Sequence, residues 1–321
     1  MKFVELDQGT SEWHAWRATG VTASEIAAVF GVSPFKTRWQ LWAEKRGLRQ
    51  PENLDLNPYV RRGRRFEHLL RETVGAARKL GFFPACVEHE DLSFLKASLD
   101  GLDRYGRPWE FKIPSEGKFE EVKQFGLESD SAQTYVLQVQ QQLLCTGANE
   151  GYLVFGDPVW GRDGPRIADY RVLVIPAQPV VHDDIAAKAM AFMDSVSRGI
   201  EPAKDKKRDV YAPETPEDAQ VWESRASQLV PLLDRQASLA AALAEIEAEI
   251  AEISAPLPEI LGEFKVGEFA GVRVTRSDRA GAVDWKAYAR SKGDDPSDDA
   301  LLAPFRKASS TSCQIRASRP D

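Results

Sequence analysis

The sequence has few of the residues that hold small secreted domains or zinc fingers together. Its 321 residues include only three cysteines, Cys86, Cys145 and Cys313, which lie far apart and never form a C-x-x-C pair. A disulfide framework, a zinc site or a cysteine-ligated cluster is therefore not expected. The four histidines are scattered without the spacing of metal ligands. The sequence also has no P-loop, which excludes an ATP-driven helicase within this chain.

Long hydrophobic runs are missing as well. No apolar segment approaches the roughly 20 residues that a membrane helix needs. The first residues, MKFVELDQGTSEW, carry acids and lack the apolar core of a signal peptide. We therefore expect a protein without a membrane segment that resides in the reducing cytoplasm.

The charge is acidic overall but unevenly distributed. A net charge of −7, with 43% hydrophobic and 28% charged residues, is typical of a soluble globular protein and argues against one that coats itself in nucleic acid. The segment RRGRRFEHLLR at 61–71 nevertheless holds five arginines and one glutamate. Such a confined basic strip favours a DNA-binding groove, and a solvated helix face is the alternative. The candidate DNA-binding residues are Arg61, Arg62, Arg64 and Arg65.

Patterns of apolar residues and caps predict an α/β (α+β) core over residues 1–200. Short strands are predicted from residue 82 onwards, in FFPACVEHE, LKASLDGLDR and PWEFKIP, with a further strand pair in EGYLVFGD and ADYRVLVIP. The small sheet is expected to be flanked by helices. The predicted helices cover 10–20, 21–35, 37–47, 58–80, 132–147 and 181–200.

The character of the sequence changes after residue 200. Residues 201–215 read as a charged linker, and residues 216–254 as a helical arm with a heptad-like apolar spacing that Gln236 interrupts. The arm packs back onto the core or binds a partner, and the sequence leaves both open. Residues 255–321 are predicted to form a small α+β module whose role the sequence does not indicate.

Charged residues with catalytic potential gather around the segment ASLDGLDRYGRPWEFKIP at 97–114. In an alternating strand, Glu110 and Lys112 share the face opposite Phe111. Asp100 on the preceding antiparallel strand can point into the same cleft, and carboxylate oxygens are natural ligands of Mg²⁺ or Mn²⁺. An ammonium beside such an ion can orient a water or stabilise a phosphate in its transition state. Alone, however, the pattern Asp…Glu-x-Lys is weak.

Four blocks in order carry a resemblance to a known family. They are WHAWRATGVTASEIAAVFGVSPF, GRRFEHLLRE, SLDGLDRYGRPWEFKIP and YVLQVQQQLLCTGANEGYLVFGD. With them, residues 10–200 resemble the YqaJ viral recombinase family, relatives of bacteriophage lambda exonuclease within the PD-(D/E)xK nuclease superfamily. The resemblance implies a restriction-endonuclease-like nuclease domain over 1–200. The proline of the superfamily pattern is replaced by Leu99.

The resemblance also implies roles for single residues. Asp100 and Glu110 match the metal-binding acids, and the backbone carbonyl of Phe111 is expected as a further ligand. Lys112 matches the lysine that positions the water nucleophile. Two residues match positions on helices near the site: Glu67, at or beside a second metal, and Gln138, in the Q-x-Q segment.

Arg17 and Ser24 match the region that grips a 5′-terminal phosphate in lambda-type enzymes. Physical reasoning agrees, because Ser24 would lie in the first turn of the helix predicted over 21–35, where free N–H groups attract an anion. Arg17 can add a bidentate contact to the phosphate. The alternative is that Thr22 and Ser24 only start a helix and that Arg17 is a surface residue.

The function that the resemblance implies is a Mg²⁺-dependent 5′-to-3′ exonuclease that degrades one strand of linear double-stranded DNA during phage-type recombination. The expected partners are DNA ends, a single-strand annealing protein and further copies of the chain in a ring. The expected location is the cytoplasm of a bacterial or phage-infected cell. Two alternatives remain: a restriction or junction endonuclease of the same superfamily, and a non-catalytic DNA-binding adaptor.

Overall fold

The computed structural model describes residues 1–52, 57–161, 164–213 and 215–276, together with Trp285 and Lys292. The chain divides into two compact units, Met1–Tyr211 and Ala212–Asp321. No helix within the described residues is long and apolar enough to cross a membrane.

The first unit is built on a mixed seven-stranded sheet. The strand order is β1-β3-β4-β5-β6-β7, and the short β2 pairs with β4 in parallel. β5 and β6 are also parallel, whereas the other neighbours are antiparallel. The strands are β1 (Lys2–Val4), β2 (Val21–Thr22), β3 (Phe83–Glu88), β4 (Leu95–Leu102), β5 (Pro108–Lys112), β6 (Glu150–Gly161) and β7 (Gly164–Pro176).

Helices flank this sheet, as the sequence predicts. Thr37 and Asn57 accept backbone N–H groups at the starts of the third and fourth helices, and Pro58 occupies the first turn of the fourth. The helices are α1 (Ser11–Ala18), α2 (Ile26–Val29), α3 (Arg38–Lys45), α4 (Pro58–Arg78), α5 (Glu116–Phe125), α6 (Asp130–Thr146) and α7 (Pro179–Arg198).

The helix predicted over 21–35 is present only in part, over residues 23–29. Residues Val21–Thr22 instead form β2, Ala23–Glu25 a 3-10 turn and Ile26–Val29 a single short helix. The capping box between Thr22 and Glu25 is present, but Gly31 has φ +75° and ends the segment after little more than one turn. The helix α5 was not predicted.

The helix α4 packs closely against the sheet. Its buried residues Phe66, Leu70 and Val74 follow the 3.6-residue period of the sequence. Gly156 on β6 permits this approach, because a side-chain carbon there would lie 2.7 Å from Leu70 Cδ1. This packing places the polar side of α4, including Glu67, beside β5.

The first unit extends beyond residue 200. The Thr37 hydroxyl donates to Asp209 at 2.6 Å, and Arg208 donates to the carbonyl of Ser33 at 2.8 Å. The middle of the linker predicted over 201–215 is therefore attached to the segment that leads into α3.

One long helix makes up most of the described part of the second unit. The elements described there are α8 (Pro216–Ser254), α9 (Leu257–Leu261), β8 (Val266–Phe269) and β9 (Val272–Thr275). The two strands form an antiparallel hairpin, and both Ala270 and Gly271 at its turn have positive φ. Most of the rest of the α+β module predicted over 255–321 lies outside the described residues.

A buried ion pair ties β3 to β4. Glu88 lies directly opposite Lys96, and Glu88 Oε1 accepts from Lys96 Nζ at 2.9 Å and from Trp16 Nε1 at 2.8 Å. Both charged side chains are buried. Burial alone would raise the pKa of Glu88, but the hydrogen bonds from Lys96 and Trp16 and the charge of Lys96 hold that pKa below its ordinary value.

Replacing Lys96 with methionine is expected to lower the free energy of unfolding by about 3 kcal/mol, because the buried carboxylate loses its cation. The matched control is Lys2→Ala, since Lys2 is exposed and lies 3.6 Å from the same carboxylate. Its effect should be under about 1 kcal/mol. Urea unfolding measures both, and equal effects would contradict the assignment.

The same pair predicts a pH dependence. Because the folded-state pKa of Glu88 is lowered, its contribution is present above the ordinary pKa of glutamate and is lost as the pH falls through the folded-state value. The stabilities of the wild type and Lys96→Met should therefore converge as the pH falls from about 5 to below about 4. A difference that stays constant over this range would contradict the prediction.

Candidate active site

The hairpin between β4 and β5 is held by a buried aspartate. Asp103 Oδ1 accepts the backbone N–H groups of Tyr105 and Arg107 at 2.9 and 3.1 Å, and Oδ2 accepts from Arg107 Nε and Trp109 Nε1 at 2.8 and 3.1 Å. These bonds explain the polar turn, because they set the register in which Gly101 faces Trp109. The hairpin thereby fixes Asp100 and Glu110 on adjacent strands.

Glu110 is almost completely buried, with 2% of its surface exposed. Its Oε1 accepts from Lys112 Nζ and, at 2.6 Å, from Gln138 Nε2. Its Oε2 accepts from Gln142 Nε2, also at 2.6 Å. Burying a carboxylate without hydrogen-bond partners costs folding free energy. The three donors offset this cost for Glu110.

The other acids at the site share an unfavourable environment. Burial raises the pKa of Asp100 to about 8, and the charge of Glu110 adds to the effect. Burial likewise raises the pKa of Glu67, which Lys112 partly offsets. Asp100 is oriented by the N–H of Phe111, which donates to its Oδ2 at 3.0 Å.

The surrounding acids stabilise the charged form of Lys112, whereas they destabilise the charged forms of each other. Burial lowers its pKa, but the charges of Glu110, Asp100 and Glu67 outweigh burial, and the pKa of Lys112 is raised above its ordinary value. The raised pKa favours the ammonium form of this side chain. In that form it donates hydrogen bonds and stabilises negative charge.

A cleft of about 330 Å³ connects these residues with the N-terminal segment. The predicted residues that line it are Arg17, Ser24, Asp100, Glu110, Lys112 and Gln138. The structure therefore brings the two groups of candidate residues, nearly 100 positions apart in sequence, to one cavity. Glu67 is electrostatically coupled to Asp100 and Lys112 but does not line this cavity.

Arg17 lines one end of the cleft, where neighbouring side chains hold its guanidinium in place. Its Nη2 donates to Ser24 Oγ at 3.1 Å, and its guanidinium lies 4.5 Å from the Trp13 ring. It also lies 3.9 Å from Glu25. Burial favours the neutral form of Glu25, but Lys45 and Arg17 together hold the pKa of Glu25 below its ordinary value.

The helical segment that contains Ser24 is shorter than expected. Only the 3-10 turn Ala23–Glu25 and the four-residue α2 follow Thr22, so the helix dipole at this end of the cleft is small. The N–H of Thr22 donates to Glu25 Oε2 at 2.9 Å. The side chains of Arg17 and Ser24 remain available to attract an anion.

The arginines of α4 lie outside the cleft. Arg61, Arg64 and Arg65 are exposed and Arg62 is half-buried. The guanidinium of Arg65 lies 4.7 Å from the centre of the Trp160 ring. These four residues form the outer face of α4, next to the turn that carries Glu67.

Sequence reasoning missed three residues that support the site. Gln142 holds Glu110, Tyr135 lines the cleft with its ring 5.1 Å from Lys112 Nζ, and Arg71 donates to the carbonyl of Asp100 at 2.8 Å. Helical spacing was the available signal. Gln142 lies four residues after Gln138 and Arg71 four after Glu67, so each pair shares a helix face.

The residues present fit a divalent cation. Two carboxylates, Asp100 and Glu110, stand on adjacent strands in a cleft, and oxygen donors of this kind suit Mg²⁺ or Mn²⁺. A cation between them would relieve the repulsion that raises the pKa of Asp100. Within the described residues, no group of three or more His, Cys, Asp or Glu side chains is gathered tightly enough to hold a metal by itself.

The residues that line the cleft lie in a segment that resembles a known protein family. Residues 12–149, which span both ends of the cleft, match the family model described as the YqaJ-like viral recombinase domain. This part of the chain is therefore similar to the YqaJ-like viral recombinase domain. Among curated proteins, none matches the chain significantly.

Solved structures share the fold of the YqaJ-like domain. The alkaline exonuclease LHK-Exo from Laribacter hongkongensis is 25% identical with a TM-score of 0.50, and the match covers 60% of this chain and 95% of that one. Its complex with dAMP matches over the same shares with 24% identity and a TM-score of 0.51. A phage-related exonuclease from Haemophilus somnus 129PT is 14% identical with a TM-score of 0.44, covering 56% and 96% of the two chains.

Replacing Gln142 with leucine is expected to weaken DNA cleavage by roughly 10- to 100-fold, because Glu110 Oε2 loses its donor. The loss should be partly recovered by raising the Mg²⁺ concentration, which a purely structural defect would not show. Cleavage rates as a function of Mg²⁺ measure it. The control is Gln133→Ala on the exposed side of α6, which should behave as wild type.

Proposed function

We propose that the chain is a metal-dependent exonuclease that degrades one strand of linear double-stranded DNA from its 5′ end. The YqaJ-like domain and the likeness to an alkaline exonuclease indicate a deoxyribonuclease of the phage exonuclease type. The dependence on metal and the polarity of digestion are the further steps of this proposal.

One observation carries the proposal: a single cleft is lined both by Asp100, Glu110 and Lys112 and by the Arg17–Ser24 pair. The first group suits hydrolysis of a phosphodiester. The second offers a guanidinium and a hydroxyl that can bind a terminal phosphate. An enzyme that starts at a phosphorylated 5′ end needs both in one cavity, whereas an endonuclease needs only the first.

The proposed metal ligands are the carboxylates of Asp100 and Glu110, the backbone carbonyl of Phe111 and, for a second ion, Glu67. Nucleases of this type generally use a divalent metal, and Mg²⁺ is proposed here, with Mn²⁺ as the alternative ion. When bound, the ion supplies Lewis-acid chemistry to the phosphate and its nucleophile.

The chain's own residues have separate tasks in the proposed reaction. Lys112, whose raised pKa favours the ammonium form, orients the attacking water and stabilises the negative charge that develops on the phosphate. Gln138 and Gln142 keep the Glu110 carboxylate fixed while the reaction proceeds. Arg17 and Ser24 hold the 5′-phosphate, so that the first phosphodiester bond falls beside Lys112.

The biological setting belongs to the same proposal. A single-stranded product would suit an annealing protein, and enclosure of DNA by a ring of several copies would make digestion processive. The reaction is placed in the cytoplasm of a bacterial or phage-infected cell. The endonuclease and the non-catalytic adaptor are the alternatives that the experiments below separate.

Replacing Lys112 with alanine is expected to reduce cleavage by roughly 10²- to 10³-fold while DNA binding remains, because a charge that stabilises the transition state is lost. The assay follows linear duplex labelled at either end, in Mg²⁺ or EDTA. The exposed Lys118→Ala is the control. Cuts within closed circles would favour the endonuclease, and binding without any cleavage by the wild type would favour the adaptor.

Replacing Arg17 with alanine is expected to abolish the preference for 5′-phosphorylated ends. We expect the wild type to digest a phosphorylated duplex roughly tenfold or more faster than one with 5′-hydroxyl ends, a factor typical of a charged hydrogen bond. The variant should treat both ends alike, whereas Arg198→Ala on the exposed face of α7 should keep the preference. A preference that survives in Arg17→Ala would contradict the phosphate-binding role.

A further inference from the structure

The helix α8 presents an apolar stripe that nothing in the proposed nuclease function uses. Starting after Pro231, the stripe has alternating spacings of four and three residues without a break. Six of its seven side chains are aliphatic and between 53% and 75% exposed, and the seventh is Gln236. The stripe consists of Leu232, Gln236, Leu239, Leu243, Ile246, Ile250 and Ile253.

The spacing of the stripe identifies what can cover it. A repeat of 3.5 residues is the period of a left-handed coiled coil, in which the stripe of one helix packs into the stripe of another. The opposite face of α8 is mostly alanine and glutamate, which suits contact with water. The stripe therefore fits a second helix with the same heptad pattern.

We propose that α8 joins several copies of this chain in a parallel, in-register coiled coil. Gln236 argues for this occupant and orientation, because it is the single polar residue of the stripe. In register, the Gln236 side chains of all copies meet in one layer and can hydrogen-bond to each other. In an antiparallel pairing, each would face the aliphatic side chains of another copy.

The charges that flank the stripe are compatible with this arrangement. In each heptad the first stripe position is Gln236, Leu243 or Ile250. In a parallel coiled coil, the residue directly before this position contacts, on the next copy, the residue numbered five higher than itself. Each such contact here joins a charged residue to an uncharged one, so no like charges meet. The contacts are Arg235 with Ala240, Ala242 with Glu247, and Glu249 with Ser254 of the next copy.

The aliphatic residues also indicate how many copies associate. Leu243 is followed by Ile246 in one heptad, and Ile250 by Ile253 in the next. Each heptad has two stripe positions. Leucine or isoleucine at the first of them, combined with isoleucine at the second, favours a coiled coil of three or four helices over one of two helices. LHK-Exo is matched over 95% of its length by 60% of this chain, so much of this chain has no counterpart there.

The full-length chain should therefore have a molar mass of three or four protomers of 35.8 kDa in light scattering after gel filtration. The double variant Leu243→Asp and Ile250→Asp should reduce this mass, because it puts charges into the stripe. Since both side chains are exposed in the single chain, the variant should keep its fold and its helix content by circular dichroism. The matched control is Ala241→Asp and Ala248→Asp, which puts the same charges on the opposite face of α8.

Cross-linking tests orientation and register directly. In a Cys313→Ser background, Ile246→Cys should be joined between copies by a short bismaleimide, whereas Ala248→Cys on the opposite face should not. The native Cys86 and Cys145 are buried and should remain unreactive. A monomeric wild type, an oligomer of unchanged mass in the aspartate variant, or no cross-link at position 246 would overturn the proposal. A mass of two protomers would overturn the strand number.

Discussion

Glu110 imposes the constraint on which the site depends, because its carboxylate is almost completely removed from water. A carboxylate in that position is stable only while donors surround it, and Lys112, Gln138 and Gln142 provide them. Two of the donors belong to α6, which packs against β4, β5 and β6. The orientation of the Glu110 carboxylate therefore depends on the packing of α6 against β5.

The same arrangement explains how two like charges can be kept close together. Asp100 and Glu110 repel each other in a region of low solvent access. Burial is the larger cause of the raised pKa of Asp100, and this repulsion adds to it. Lys112 offsets part of the repulsion in the single chain, and a divalent cation would offset more. The two acids therefore favour binding of a cation between them. At the other end of the cleft, the Arg17–Ser24 pair favours binding of an anion.

Much of this architecture could be predicted from the sequence. The helix periods, the turn residues around Asp103 and the order of four motif blocks indicated the mixed sheet, the flanking helices and the YqaJ-like domain. The helix predicted over 21–35 begins only after Thr22, because Val21 pairs with Leu95 on β4, a contact 74 residues away that local periodicity does not reveal. Gln142 and Arg71 were missed for a related reason, since helical spacing shows a shared face but not which acid or carbonyl that face approaches.

The most direct test of the account is a crystal structure with a blunt duplex that carries 5′-phosphates, in Ca²⁺ instead of Mg²⁺ to slow cleavage. The account predicts an ion between the carboxylates of Asp100 and Glu110. It also predicts the terminal phosphate within hydrogen-bonding distance of Arg17 and Ser24. A duplex whose 5′ end lies outside the cleft, or an ion bound away from both acids, would contradict the central claim that one cavity performs both tasks.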